Sequence, residues 1–290
     1  MIFKAFITVL LFSYTALMAT DDGEVSKEVV VSSSKRLKLG HEDEAEPVKN
    51  AGVTKLDLSD NRYLKNIDFI VHFPALQRLT LEDCSQLKDS YHPVSHLTNL
   101  VSLTLNNVKL TTLTHLQELV SLTSLDVSNN AMLTVKGIER LPRLKKLRLA
   151  GNTYLEDLTD VGKITTLERL NLDGVFIERQ HDDIELVSSD LGFLISLVNL
   201  EVLGLAYNDR IRHIAPLAML LRLRKLDLSF TRIEDWPILV SVISLKQLDI
   251  RDAHLEDTSI LSSLLKLRKL VVHKHKKLPP LSHKITIIRR

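Results

Sequence analysis

Leu122-Thr123-Ser124-Leu125-Asp126-Val127 places aliphatic side chains at its first, fourth and sixth positions, and Leu223-Arg224-Lys225-Leu226-Asp227-Leu228 repeats the spelling further along the chain. The same pattern begins at Val53, Leu76, Leu100, Leu122, Leu144, Leu167, Leu200, Leu223, Leu245 and Leu267. Successive starts lie 22 to 24 residues apart, apart from one interval of 33. A fixed period of that size marks a chain built by stacking one small unit, each burying its apolar face only against its neighbours. The unbroken register makes residues 53–275 one elongated domain of about ten repeats, although the chain of 290 residues could by length hold two globular domains.

Within a unit the alternation Leu-x-Leu has period two, so it predicts a short strand with both leucines inward and the residues between and after them outward. Stacked units then form a parallel sheet on the concave wall. Beyond each strand the apolar residues fall three apart, as in Leu110, Leu113, Leu116 and Leu119, or Ile233, Trp236, Leu239 and Val242. That spacing predicts a short helix on the convex side. The prolines agree: Pro93, Pro216 and Pro237 fall where such helices begin, and Pro74 and Pro142 just beyond where they end. The expected architecture is an α/β solenoid curved as a horseshoe. The long unit regains register at Leu191, Leu194 and Leu197, so its surplus lies in 178–190, expected as an acidic loop on the convex side or edge.

This layout resembles the leucine-rich repeat family, and within it the 22-residue class typified by the repeat-built regulatory subunit of protein phosphatase 1 and by bacterial internalins. The resemblance covers residues 53 to about 275. The family's buried asparagine, which bonds loop backbone between units, matches Asn61, Asn130, Asn152 and Asn208. At the equivalent places this chain has Cys84, Val108, Val175, Thr231, Ala253 and His275, whose loops are expected to satisfy their backbone through water or local turns. The resemblance implies a protein-binding role without catalysis. It also raises an alternative, an intracellular regulatory subunit of protein phosphatase 1.

Composition narrows the classes. Apolar residues make up 44% and aromatics only 5%, which suits a core of Leu, Ile and Val rather than rings. The formal net charge of +2 gives no general case for nucleic acid, whose binding draws on clustered cations. Residues 1–20 read as a secretory signal: Lys4 precedes an apolar run from Ala5 that continues less strictly to Ala19, and Asp21-Asp22 ends it. As a helix this run would be ~24 Å long, short of the ~30 Å hydrocarbon core, so it is not read as a permanent anchor. Residues 21–52 read as a polar linker or N-terminal cap, and 276–290 as a basic tail. Secretion is the expected location, and the signal the only expected membrane contact. Against it stand the single cysteine, which permits no internal disulfide, and the lack of any Asn-x-Ser/Thr sequon. Lys35-Arg36-Leu37-Lys38 and the missing disulfides keep a cytoplasmic or nuclear alternative open.

Candidate chemical groups read as structural. Cys84 stands in the inward asparagine column, where a buried thiol is a poor nucleophile. His92 with His96, and His273 with His275, lack an obvious third ligand, so no metal site is assigned. Trp236 shares its column with Leu113 and Val135, a core position. No phosphate loop or nucleophile elbow is present, and no cofactor, small-molecule substrate or enzymatic activity is expected. The outward columns are more informative: they are charged and polar except where Tyr207 and Phe230 recur in adjacent units beside the small Gly204 and Ala206. Arg224, Lys225, Asp227, Asp249 and Arg251 would form a charged rim, so these seven residues are the expected contact site for a protein partner of unknown identity on a monomeric chain.

Overall fold

The computed structural model describes residues 28–30, 52–87, 91–177, 190–281 and 285–290. The N-terminal signal, nearly all of the 21–52 segment and all but the last residue of the 178–190 insertion lie outside them. Among the described residues twelve parallel strands form one sheet in strict chain order. They are β1 (Glu28–Val30), β2 (Lys55–Asp57), β3 (Arg78–Thr80), β4 (Ser102–Thr104), β5 (Ser124–Asp126) and β6 (Lys146–Arg148), followed by β7 (Arg169–Asn171), β8 (Val202–Gly204), β9 (Lys225–Asp227), β10 (Gln247–Asp249), β11 (Lys269–Val272) and β12 (Thr286–Arg289). Two strands lie beyond the region read as repeats. Glu28–Val30 pairs with β2, and Thr286–Arg289 pairs with β11, so the segment read as a basic tail supplies the last strand.

Strand register follows the leucines. Leu125, Leu147, Leu170 and Leu203 are Cα partners across β5 to β8, and each is at most 1% exposed. Flat stacking of identical side chains every ~4.8 Å is what parallel in-register strands require. The resulting core runs without a break from Val53 to Val272 among the described residues.

The connecting segments are tighter than α-helices. Among the described residues eight are 3-10 helices, and one single-turn α-helix, α1, covers Thr159–Gly162. The cause is the spacing of three. In the unit after β2, Ile70 donates to Ile67, Phe73 to Ile70 and Leu76 to Phe73, so each hydrogen bond spans three residues. A helix with three residues per turn eclipses side chains at i and i+3, which brings all four onto one inward line. An α-helix would rotate them about 60° further off that line by each third residue. Pro93, Pro216 and Pro237 sit at the first turns of 92–96, 215–219 and 236–241, where the missing N–H costs no hydrogen bond.

The buried asparagines tie units together. Asn130 donates to the carbonyls of Leu105 and Val127 (2.7 and 2.9 Å) and accepts from the N–H groups of Val108 and Leu110 (both 3.0 Å). Asn208 likewise donates to Leu172 and Leu205 (both 2.9 Å) and accepts from the Phe176 N–H (2.6 Å). Thus Val108 and Val175, which replace asparagine in their own units, leave loops that the next unit's asparagine serves. Cys84 and Thr231 keep part of the role: the Cys84 thiol donates to the Leu58 carbonyl (3.1 Å) and the Thr231 hydroxyl to that of Leu228 (2.6 Å).

Candidate functional site

At the exit end of the strands one turn is repeated from unit to unit. The residue after the second leucine accepts the N–H two positions on: Asp57 from Ser59 (3.0 Å), Asp126 from Ser128 (3.0 Å), Asn171 from Asp173 (2.8 Å), Asp227 from Ser229 (3.0 Å) and Asp249 from Arg251 (3.2 Å). Asp and Asn suit this place because their short side chains close such a turn on their own backbone. The column three residues beyond that carboxylate or amide is then left-handed in nine successive units. Its members are Asp60, Asp83, Asn107, Asn129, Gly151, Gly174, Tyr207, Phe230 and Asp252, with φ between 50° and 70°. From Asp60 to Phe230 the N–H of each donates to a carbonyl of the following unit, as Tyr207 does to Ser229 (2.9 Å) and Phe230 to Arg251 (2.8 Å). That ladder imposes the conformation whatever the side chain.

Seven of the nine are Asp, Asn or Gly, the residues that tolerate it. Tyr207 and Phe230 are not. A bulky residue at positive φ is an outlier, and strain of this kind gathers at binding sites. The two rings stack nearly parallel, centroids 4.5 Å apart and planes 8° from one another. Tyr207 is 57% exposed and Phe230 partly buried, so the stack presents an aromatic face to solvent.

The expected surroundings change in three respects. The aromatic pair occupies the turns after β8 and β9, at the exit edge of the concave wall, and not the strands themselves. The room expected beside Gly204 is taken by Asp173: a Cβ on Gly204 would meet the Asp173 Oδ1 at 2.7 Å, and Ala206 is buried. The hollow lies on the other side, over β9 to β12, with a volume of about 140 Å³ and walls that include Lys225, Asp227, Asp249, Lys269 and Val271. Third, most of the rim is already engaged. The Arg251 guanidinium grips the Asp249 carboxylate through Nε (3.0 and 3.1 Å) and a terminal nitrogen (2.9 Å), and Asp227 also accepts from the Ser229 hydroxyl (2.6 Å). Arg224 belongs elsewhere: it stands at the entry end of β9, 3.8 Å from Glu201, a strand's length from the rings.

Asp173 is a neighbour of these turns that the sequence alone does not single out. Gly204 stands where Asp57, Asp126, Asn171, Asp227 and Asp249 stand in other units, so the turn after β8 lacks their side-chain acceptor. Asp173 replaces it by accepting the Ala206 N–H (2.8 Å) and the Asn171 amide (2.9 Å). Burial raises its carboxyl above the usual carboxylate range, opposed by those two hydrogen bonds. The folded state therefore favours the protonated acid. This contribution is complete below the ordinary value of about 4 and is lost as pH rises through the raised value. Asp173→Asn carries no such charge, so its melting temperature relative to the natural chain should rise as pH goes from 4 to 7. A difference that stays constant with pH would show that Asp173 is not held in this way.

The other chemical candidates fall into the core or onto the surface. Burial pushes the Cys84 thiol up to about 11, so it is protonated and unreactive at neutral pH. Trp236 is 7% exposed and packs in the core. His115 joins His92 and His96, with ring centroids 5.7 and 5.4 Å from His92, a neighbour the linear spacing hides. Among the described residues no three His, Cys, Asp or Glu side chains converge on a metal position, and no helix is long and apolar enough to cross a membrane.

Residues 120–163 match a family model described as leucine-rich repeats, two copies. Among solved structures, internalin C2 of Listeria monocytogenes is 25% identical with a TM-score of 0.56, over 68% of this chain and 83% of that one. An internalin of the same organism, inlF, is 21% identical with a TM-score of 0.65, over 91% and 81%. The plant peptide hormone receptor RGFR1, solved in complex with RGF2, is 18% identical with a TM-score of 0.53, over 76% of this chain and 40% of the receptor. No curated protein matches in sequence. In all, 387 chains of solved structures match.

Proposed function

We propose that this chain, a leucine-rich repeat protein, is an exported, non-enzymatic binding protein that holds a protein partner at the exit edge of its concave wall. The observation that carries this is the stacked pair Tyr207 and Phe230 in a backbone column otherwise reserved for Asp, Asn and Gly. Aromatic rings on a rigid scaffold, beside a hollow with mixed charge, are the usual composition of an interface anchor and its rim. Lys225, Asp227 and Asp249 line that hollow and complete the contact site, with Arg251 held against it by Asp249. Export is supported by the charged and then apolar residues 1–20.

Two measurements test the reading. Immobilised full-length chain should capture a protein from extracts of candidate targets that a Tyr207→Ala/Phe230→Ala chain does not. Capture that survives loss of both rings, yet is lost when residues 274–290 are removed, would move the site to the C-terminal end. N-terminal sequencing of the native protein should begin near Asp21; a retained Met1 would overturn export.

A further inference from the structure

The opposite, entry edge of the same sheet carries a second surface, formed by its last repeats. Four residues before β9, β10 and β11 stand Leu221, Ile243 and Leu265, which are 62%, 60% and 70% exposed. Each follows the same tight turn, its N–H donating to Met219, Ser241 and Ser263 respectively. Because Lys225, Gln247 and Lys269 are register partners, these side chains form one stripe at the ~4.8 Å spacing of the strands. Val198, 53% exposed, continues it before β8. In the earlier units the same column holds Pro74, Thr98, Val120, Pro142 and Thr165, so the run of aliphatics is confined to one end of the solenoid.

Cations run beside it. The residues just before β9, β10 and β11 are Arg224, Lys246 and Arg268, all exposed and stacked in the same register. In earlier units this column is uncharged at Thr54, Gln77, Val101 and Thr123 and then mixed in sign, as where Lys145 meets Glu168 at 2.8 Å. Here three positive charges follow one another, and among the described residues Glu201, at the near end, approaches Arg224 at 3.8 Å. Arg222 and Lys266 add to the same edge, and residues 215–226, 236–248 and 258–277 contain no Asp or Glu. Stacked like charges destabilise the free protein and are relieved by an anion.

We propose that this entry edge docks on an anionic phospholipid surface, Leu221, Ile243 and Leu265 entering the acyl boundary while Arg224, Lys246 and Arg268 meet the headgroup phosphates. Exposed aliphatics interleaved with cations, with Glu201 the acid at one end, are the composition of surfaces that lie on charged membranes. A second copy of the chain would set one cationic row against another. Nucleic acid would call for stacking rings, and this stripe is aliphatic. The surface lies across the sheet from the aromatic pair, so membrane and protein partner would occupy different edges.

Cosedimentation of the full chain with phosphatidylcholine vesicles, with and without phosphatidylserine, decides the matter. Binding is expected only with phosphatidylserine. Arg224→Glu/Lys246→Glu/Arg268→Glu should lower the partition coefficient roughly a hundredfold, about fivefold for each cation removed. Leu221→Ser/Ile243→Ser/Leu265→Ser should lower it roughly tenfold or more. Both alter exposed residues, so their melting curves should stay near the natural one, while Tyr207→Ala/Phe230→Ala should bind vesicles normally. No sedimentation with phosphatidylserine vesicles, or equal sedimentation of the serine variant, overturns the proposal. Self-association without lipid that the serine variant abolishes would assign the stripe to a second copy, and binding of soluble polyglutamate as tight as that of vesicles would assign the cations to an acidic protein.

Discussion

Leu147→Asp is expected to unfold the repeats on either side of it. Leu147 is 1% exposed in the middle of β6, with Leu125 and Leu170 as its register partners. The carboxylate would enter a stack that offers it no cation or hydrogen-bond donor, and burying such a charge costs several kcal/mol against the ~1 kcal/mol typical of point mutants. Cooperativity enlarges the effect, because each unit of a solenoid is stabilised only through its two neighbours, so a break at β6 separates the sheet into two halves with exposed ends. The expected melting curve is either strongly lowered or split in two. Lys146→Asp, on the same strand with its side chain exposed, should change stability by no more than ~0.5 kcal/mol. A Leu147→Asp chain that melts like the natural one would refute the register of the whole sheet.

The aromatic pair should show opposite signs in binding and in stability. Tyr207→Asn/Phe230→Asn puts at both positions the residue that Asn107 and Asn129 supply in this column. Removing a central aromatic anchor costs an interface ~2 kcal/mol or more, so affinity for the captured partner should fall at least about thirtyfold. The fold loses the ring stack, worth ~0.5–1.5 kcal/mol, and regains the ~1–2 kcal/mol per residue that a left-handed backbone costs a bulky side chain. The melting temperature should therefore hold or rise while binding is lost. A large fall in melting temperature would make the rings a structural clasp. Lys145→Ala/Arg148→Ala, earlier on the same wall, should chiefly alter the salt dependence and rate of association.

Leu122-x-x-Leu125-x-Val127 and its nine counterparts determined the stacking, strand register and inward leucines on their own, because a period of two within a period of about 22 admits one way of burying the aliphatics of the repeated pattern. The spacing of three, as at Ile67, Ile70, Phe73 and Leu76, predicted a short helix on the convex side; that these turns are 3-10 helices is what the structure adds, through the coincidence of three residues with one turn. Tyr207 and Phe230 were legible as exceptions for the same reason: a repeat makes each column its own standard of comparison. What the sequence could not decide were contacts between one unit's side chain and another unit's backbone or surface. Asp173 fills the place of an acceptor missing at Gly204, 31 positions away, and within the expected charged rim Arg251 closes on Asp249. Thr286–Arg289 became a strand because Lys269–Val272 offered an unpaired edge, although its own residues show no repeat. Arg224, Lys246 and Arg268 became neighbours only when stacking placed residues 22 apart about 4.8 Å from one another; charge and strain depend on those distances through space, and tertiary structure alone sets them.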